Sequence, residues 1–323
     1  MTSCIFARIL ASSVHLAKKA GQIAREIRLS GDLSIVEKGV QDFQTEADRR
    51  AQQLIIGNLN KLHPSLVCIG EEDGLSETVE HADSELDEEC LSATYPTVLS
   101  SLEENQITCW VDPLDGTKEY TEGGEWIEHV TVLIGLSVAG RAMGGVIHQP
   151  FYKYSENKST TGRTIWGAVG VGTFGLDHDP LQVHLDRLSG KHTPKYTSTR
   201  SHSSPIVNEL FEALQPCEVV RLGGSGHKVL AVLDGTVDAY VYPSLGLKRW
   251  DSCAPEAVIT AAGGYFTDIT GKNYDYSADD EDRMNWMGCL AGFGDSKTLA
   301  DKVPQSIVDK VTQVMNTKKE AKK

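Results

Sequence analysis

The sequence predicts a layered fold of mixed α/β or α+β class, built as one large or two medium globular domains. The chain has 323 residues, of which 40% are hydrophobic and 24% charged. This composition supports a substantial core and is not that of a disordered chain. The first half combines helical periodicity with hairpin patterns, and the second half alternates short strands with helices, which together indicate stacked layers.

Two helices and an acidic segment open the chain. Apolar residues recur at helical spacing over 5–29 and 45–62, and the first stretch is an amphipathic helix rather than a signal peptide because it lacks a basic start and a long apolar core. Residues 66–69 read as a short strand. Residues 76–105 are rich in Glu, Asp and Ser, which predicts an exposed excursion with some helix.

Strands dominate the next part of the chain. Residues 108–111 form a buried strand, and 130–136 and 142–147 alternate as an antiparallel hairpin around Ala139-Gly140. Glycines interrupt this apolar run, so it is not a membrane span. Residues 160–173 predict a second hairpin.

A rise in polarity near 151–160 predicts the boundary between two subdomains. We place an N-terminal α+β subdomain at 1–155 and a C-terminal α/β subdomain at 156–323. The last eight residues are basic, and we expect them to be frayed.

The second half predicts strands and helices in alternation. They are a strand over 219–222, a helix around 228–233, a strand over 238–242 and a helix over 251–262. Asp251 or Ser252 stands near the N-cap of the last helix, and Gly263-Gly264 ends it.

The chain is acidic, with a formal net charge of −14 at pH 7. Such a charge argues against nucleic acid or an anionic membrane as a partner. It also repels an anionic substrate unless bound cations or a local basic pocket reverse the field. Seven scattered cysteines without a CxxC pair indicate reduced thiols, so we expect a cytoplasmic protein.

The most informative stretch is Asp112-Pro113-Leu114-Asp115-Gly116-Thr117. It places two carboxylates at the end of a buried strand, and carboxylate oxygens are the ligands that Mg²⁺ requires. A Gly-Thr turn that opens a helix offers free backbone N–H groups to a phosphate. Asp-Pro and Asp-Gly are also ordinary turn pairs, but the cost of burying unpaired charge favours a metal site.

Other acidic positions are weaker candidates when taken alone. Glu71 ends a strand within an acidic turn, which fits a solvated loop as well as a metal ligand. Asp251 stands at a helix start, where Asp is a good cap. Asp48 lies inside a helix, and its surroundings indicate a surface charge that faces Arg49 or Arg50.

Two glycine-rich stretches imitate nucleotide-binding motifs. Residues 170–175 match GxGxxG, but Asp179-Pro180 follows where a helix must begin and no helical period appears, so a dinucleotide site is excluded. Residues 223–228 resemble a P-loop, but Val229 stands where Ser or Thr must bind Mg²⁺. The second stretch still predicts a glycine-rich turn before a helix, suited to nucleotide or phosphate contact.

Taken in order, these pieces resemble the signature of the lithium-sensitive, Mg²⁺-dependent phosphatases, the superfamily of inositol monophosphatase and fructose-1,6-bisphosphatase. The pieces are Gly70-Glu71-Glu72, residues 112–117, Trp250-Asp251 and Gly263-Gly264. The resemblance covers nearly the whole chain. It implies an alternating α/β/α/β/α sandwich of the sugar-phosphatase type, with the active site between two subdomains.

Four further stretches resemble the bisphosphate nucleotidase branch of that superfamily, namely 115–123, 162–167, 199–202 and 223–228. The resemblance implies a lithium-inhibited enzyme that hydrolyses the 3′-phosphate of adenosine 3′,5′-bisphosphate with metal-activated water, giving AMP and phosphate. Inositol 1,4-bisphosphate is a second expected substrate. The alternative is an inositol polyphosphate 1-phosphatase, which shares every metal residue and differs in the leaving-group pocket.

The same resemblance implies a role for each site residue. Two or three Mg²⁺ ions would be held by Glu71, Asp112, the Leu114 carbonyl, Asp115 and Asp251. Asp48 and Thr117 would orient and deprotonate the attacking water. The substrate would contact Gly116, Thr117, Thr199, His202, Gly224 and Lys228.

Two other classes of function remain as alternatives. An aspartyl-phosphate phosphatase requires Asp-x-Asp before the Gly-Thr pair, whereas this chain has Asp-x-x-Asp. The second is a phosphate or nucleotide sensor built on an inactive phosphatase fold. Such a protein is expected to lack a metal ligand or a member of the water-activating pair, whereas this sequence retains the candidate residues for both. The sequence does not give the oligomeric state, for which a monomer is favoured.

Overall fold

The computed structural model describes residues 3–39, 42–74, 78–189, 193–201, 204–279 and 282–321. Within these residues the α-helices are α1 (Ile5–Ser30), α2 (Glu46–Leu62), α3 (Glu88–Ser92), α4 (Thr97–Ser100), α5 (Thr117–Glu122), α6 (Pro180–Ser189), α7 (Pro205–Ala213), α8 (Ser225–Leu233), α9 (Arg249–Ala261), α10 (Ser296–Ala300) and α11 (Gln305–Ala321). The strands are β1 (Val36–Gly39), β2 (Asp42–Gln44), β3 (Val67–Gly70), β4 (Ile107–Asp115), β5 (Thr131–Val138), β6 (Arg141–Gln149), β7 (Arg163–Ala168), β8 (Gly172–Phe174), β9 (Lys195–Thr199), β10 (Glu218–Leu222), β11 (Ala239–Tyr242), β12 (Tyr265–Thr267) and β13 (Cys289–Gly292). Two 3₁₀ helices span Glu104–Gln106 and Gly124–His129.

Two sheets form the framework. The first has the strand order β3-β4-β5-β6-β7-β8, and the second has the order β10-β9-β11-β13-β12. Helices α1 and α2 pack on one side of the first sheet, α8 and α9 lie between the sheets, and α7, α10 and α11 complete the core beyond the second. The layers therefore alternate as α/β/α/β/α, and the predicted fold class is confirmed.

Helix α9 lies in direct contact with the backbone of the first sheet. Gly135, Gly145 and Gly167 stand side by side on β5, β6 and β7. A Cβ added at Gly145 would lie 2.5 Å from the Ala254 carbonyl oxygen, and one at Gly135 would lie 2.7 Å from Cys253 Sγ. This glycine row lets α9 approach the sheet closely, which fixes the start of α9 relative to the neighbouring strand β4.

Most predicted elements of the first half are present. The two N-terminal helices and the two hairpins are confirmed within a few residues, and Ala139-Gly140 forms the first turn with φ angles of 48° and 73°. The stretch 76–105, described from residue 78, contains α3 and α4, so its partly helical character is confirmed. The strand expected at 108–111 is longer than predicted, because β4 continues to Asp115 through an irregularity in its pairing with β5.

Other corrections concern the second half. The tail is helical to Ala321 rather than frayed, because Ile307 and Val311 anchor α11 in the core. Helix α6 occupies a stretch for which the sequence pattern predicts no helix. It follows Asp179, whose carboxylate accepts the Leu181 N–H at 2.9 Å. The GxGxxG stretch still runs into β8 rather than a helix.

The two sheets divide the chain later than the predicted boundary. Residue 155 falls between β6 and β7, which pair with each other in the first sheet. The division between the sheets comes after β8 and before β9. The polar stretch 151–160 therefore joins two paired strands of one sheet. All seven cysteines are free thiols, and no described helix is both long and apolar enough to cross a membrane.

Replacing Gly145 by Ala forces a side chain against the α9 backbone. We expect the free energy of unfolding, measured by urea denaturation, to fall by about 3 kcal/mol. The matched control is Gly31→Ala, which has open space around it and a φ of 80°. In the control the free energy of unfolding should fall by about 1 kcal/mol, because alanine is strained in the left-handed backbone conformation. An equal decrease in the free energy of unfolding in both variants would contradict the close packing of α9 on the sheet.

Candidate active site

A cleft of about 280 Å³ receives residues from both sheets and from the N-terminal ends of α5, α8 and α9. Eight of the residues selected from the sequence line it: Glu71, Asp115, Gly116, Thr117, Thr199, Gly224, Lys228 and Asp251. The layered fold therefore brings together positions that are far apart in the chain.

Three carboxylates lie together at one end of the cleft. Oxygens of Glu71, Asp112 and Asp251 all fall within 4.8 Å of one another. Glu71 follows β3 and Asp112 lies in the neighbouring parallel strand β4, and the Glu71 N–H donates to the Val111 carbonyl at 3.0 Å. Burial and the neighbouring carboxylates raise the pKa of Asp112 well above its ordinary value. Burial likewise raises the pKa of Asp251 to about 6.

This acidic triad, Glu71, Asp112 and Asp251, fits a hard divalent cation. It offers several carboxylate oxygens from rigid elements, and a bound cation would relieve the repulsion that the pKa shifts report. Within the described ranges, one other group has comparable spacing, formed by His15, Asp83 and Glu85. There, the Lys19 ammonium already lies 2.5 Å from Asp83 and neutralises it.

Asp115 lies beside the triad and is held by the start of α8. Its carboxylate accepts the N–H groups of Ser225 and Gly226, both at 2.8 Å, and the Thr131 hydroxyl at 2.7 Å. Oδ2 accepts two of these hydrogen bonds, whereas Oδ1 accepts one and keeps a further lone pair. Asp115 therefore joins the acidic end of the cleft to the glycine-rich turn before α8.

Asp48 is buried, so its interpretation as a surface charge is wrong. It is the third residue of α2, and its Oδ2 accepts the Thr45 N–H at 2.7 Å and the Thr45 hydroxyl at 2.5 Å. Its Oδ1 lies 3.2 Å from the Thr117 hydroxyl, which donates to it. Burial outweighs these hydrogen bonds and raises the pKa of Asp48 to about 6. At neutral pH this carboxylate is ionised and basic enough to take a proton.

The Thr117 hydroxyl has two acceptors within reach. Besides Asp48, the Leu114 carbonyl lies 3.1 Å away. One hydroxyl proton serves one acceptor at a time. When Thr117 donates to Asp48, its own lone pairs are free to accept a proton from a water molecule in the cleft.

The opposite side of the cleft is formed by the end of β9 and the start of α8. Thr199 closes β9, and Gly224 holds a φ of 62°. A Cβ at Gly224 would lie 2.9 Å from Asp115 Oδ2, so only glycine fits there. The buried Lys228 Nζ donates to the Gly224 carbonyl at 2.6 Å, and burial lowers its pKa. His202 lies outside the described residues.

The cleft also contains residues that sequence reasoning missed. Tyr240 and Tyr242 line it from β11, and their period of two was a signal that they share one face of a strand. Lys248 also lines it, and its N–H donates to Asp251 at 2.6 Å. Asp251 is thus the third residue of α9 rather than its N-cap, the same position that Asp48 has in α2.

Comparison with known proteins gives a consistent result. A model described as the inositol monophosphatase family matches residues 7–292. The chain is 43% identical to 3′(2′),5′-bisphosphate nucleotidase 1 of Homo sapiens over 95% of this chain and 97% of that protein. It is 33% identical to the protein of the same name from Dictyostelium discoideum, over 91% and 95%. The solved structure of the extragenic suppressor protein suhB from Bartonella henselae superposes with a TM-score of 0.64 at 21% identity, covering 90% of this chain and 96% of that one.

The acidic triad predicts a site for a divalent cation. Calorimetric titration with Mg²⁺ should show binding to the unaltered protein and an affinity at least about tenfold lower in Asp112→Asn. The matched control is Asp83→Asn, which alters the second acidic group and should leave Mg²⁺ affinity unchanged. If Asp83→Asn weakens binding while Asp112→Asn does not, the assignment of the cation site is wrong.

Proposed function

The chain belongs to the inositol monophosphatase family, and on that premise we propose that it is a Mg²⁺-dependent phosphomonoesterase acting on adenosine 3′,5′-bisphosphate. It removes the 3′-phosphate and yields AMP and phosphate. The observation that carries the proposal is that the acidic triad and the Asp48–Thr117 pair lie at the same cleft. The choice of substrate is supported by the identity to bisphosphate nucleotidases over nearly the whole chain.

We assign the metal site to the acidic residues of the cleft. Two or three Mg²⁺ ions would be held by Glu71, Asp112, the Leu114 carbonyl, Asp115 and Asp251. When bound, the ions neutralise phosphate charge and lower the pKa of a coordinated water. Their positive charge would reverse the local field at the cleft, although the chain as a whole carries a net charge of −14.

The chain's own residues supply the proton path. Thr117 accepts a proton from the attacking water as its own hydroxyl proton passes to Asp48 Oδ1, 3.2 Å away. Thr45 holds the other oxygen of Asp48, so the carboxylate faces Thr117 in one orientation. Since water attacks phosphorus directly, no phosphoenzyme forms.

The substrate lies between the acidic end and the glycine-rich turn. We propose contacts from Gly116, Thr117, Thr199, His202, Gly224 and Lys228. The buried ammonium of Lys228 donates to the Gly224 carbonyl of the turn, and the part of the cleft lined by Tyr240 and Tyr242 accommodates the nucleoside. Lithium inhibition, a monomeric state and a cytoplasmic location complete the proposal, the last supported by seven free cysteines.

A phosphate-release assay with Mg²⁺ tests the substrate. We expect faster turnover of adenosine 3′,5′-bisphosphate than of inositol 1,4-bisphosphate, and inhibition by Li⁺. Asp48→Asn should lower kcat by about 10²- to 10⁴-fold, since the general base is lost while an amide oxygen still caps α2. Faster turnover of the inositol substrate would instead favour the sibling phosphatase.

The pH dependence separates the base from the metal ligands. Because the pKa of Asp48 is about 6, kcat should fall as the pH decreases through that value and the carboxylate takes up a proton. Protonation of Asp251 also weakens cation binding in this range. Raising the Mg²⁺ concentration should move the second effect to lower pH and leave the first in place. An acid limb that vanishes entirely at high Mg²⁺ would refute the role of Asp48.

A further inference from the structure

Two stretches without an assigned role meet beside the cleft. Arg200 follows Thr199 at the end of β9, and the 3₁₀ helix Gly124–His129 follows α5. An arginine next to a phosphate site ordinarily binds phosphate through its fork of N–H groups. The contacts of Arg200 indicate a different role.

The Arg200 guanidinium contacts three side chains of α5 and of the 3₁₀ helix that follows it. Its Nε and Nη2 donate to Glu119 Oε1 at 3.2 and 3.1 Å, and Nη2 donates to Glu122 Oε2 at 2.5 Å. The guanidinium carbon also lies 4.5 Å from the centre of the Trp126 ring. Glu119 is 2% exposed, so its pairing with Arg200 is required by its burial.

Glu119 also supports the glycine-rich turn. A Cβ at Gly223 would lie 2.2 Å from Glu119 Cδ, so the two residues are in direct contact. The Gly223 N–H donates to His129 Nδ1 at 3.0 Å, and the His129 ring stacks on His227 with centres 4.2 Å apart. The segment from α5 to His129 therefore holds both the end of β9 and the start of α8.

We infer that Arg200 is a positioning residue that fastens the nucleotide side of the cleft to α5, and that it is not a phosphate ligand. The inference rests on the proposed function for its substrate. Through Glu119, Arg200 fixes Thr199 and Gly224 relative to Thr117, which opens α5. Two carboxylates outweigh its single positive charge, so the junction formed by Arg200, Glu119, Glu122 and Trp126 does not attract an anion.

This role predicts a particular division between KM and kcat. Loosening the junction weakens contacts that are made equally in the ground state and the transition state, which raises KM and leaves kcat nearly unchanged. Asp48 and the acidic triad stand on elements other than α5, and Thr117 is held by Asp48 and the Leu114 carbonyl, so the catalytic groups keep their geometry.

The test compares Arg200→Gln and Glu119→Gln with unaltered protein in the presence of Mg²⁺. We expect KM for adenosine 3′,5′-bisphosphate to rise about tenfold in both variants, with kcat within about twofold. Arg187→Gln is the matched control. Arg187 forms a partly buried pair with Asp238 at 3.0 Å, at the opposite end of the second sheet. Its loss should leave KM unchanged.

Glu119→Gln discriminates between the two roles of Arg200. If Arg200 binds phosphate, the removal of a competing carboxylate frees its charge and lowers KM, whereas the positioning role requires KM to rise. A phosphate ligand also predicts that Arg200→Gln harms the bisphosphate far more than a nucleoside 3′-monophosphate. Positioning predicts similar losses for both substrates. Either result typical of a phosphate ligand would overturn the inference.

Folding and the proposed function are checked separately. If Arg200→Gln fails to fold, Glu122→Gln removes only the more exposed arm of the junction, and KM should rise about threefold. Unaltered KM in that variant would then count against the inference. If the unaltered protein hydrolyses no nucleotide, the proposed function fails, and the same comparison is made on inositol 1,4-bisphosphate. Active protein with unchanged KM in both original variants refutes the inference alone.

Discussion

The site depends on holding mutually repelling carboxylates at one point. Glu71 and Asp112 are placed by the parallel strands β3 and β4, and Asp251 arrives on α9 from the second half of the chain. Repulsion alone would drive these groups apart. The packing of α9 on the glycine row resists this separation, because Asp251 can move away only if the packed helix is displaced from the sheet.

Helix starts orient the acidic side chains. Asp48 and Asp251 are each the third residue of a helix. One oxygen of each carboxylate accepts the backbone N–H of the residue just before that helix, Thr45 or Lys248. Asp115 accepts two N–H groups at the start of α8. These hydrogen bonds hold each carboxylate in one orientation. The same hydrogen bonds thus stabilise the helices and align the site.

The sequence predicted what local patterns encode. Period and turn signals located the long helices, the two hairpins and the motif around Asp112, and motif order suggested the family. Asp48 is buried and accepts a hydrogen bond from Thr117, which is 69 residues away, so no local pattern reports its surroundings. Polarity near 155 marks an exposed turn between the paired strands β6 and β7, and it carries no information about where the chain passes from one sheet to the other. The role of Arg200 depends on groups about 80 residues distant, which spacing alone does not bring together.

The stacked histidines beside the glycine-rich turn have a consequence for the protein in an acidified cell. Burial lowers the pKa of His129 to about 4 and that of His227 well below its ordinary value, so both rings stay neutral. The turn therefore keeps its charge and packing at the pH where Asp48 loses its ability to act as a base. On the proposed function, mild acidification therefore acts on the carboxylates of the cleft, Asp48 and Asp251, and leaves the glycine-rich turn on the nucleotide side unchanged.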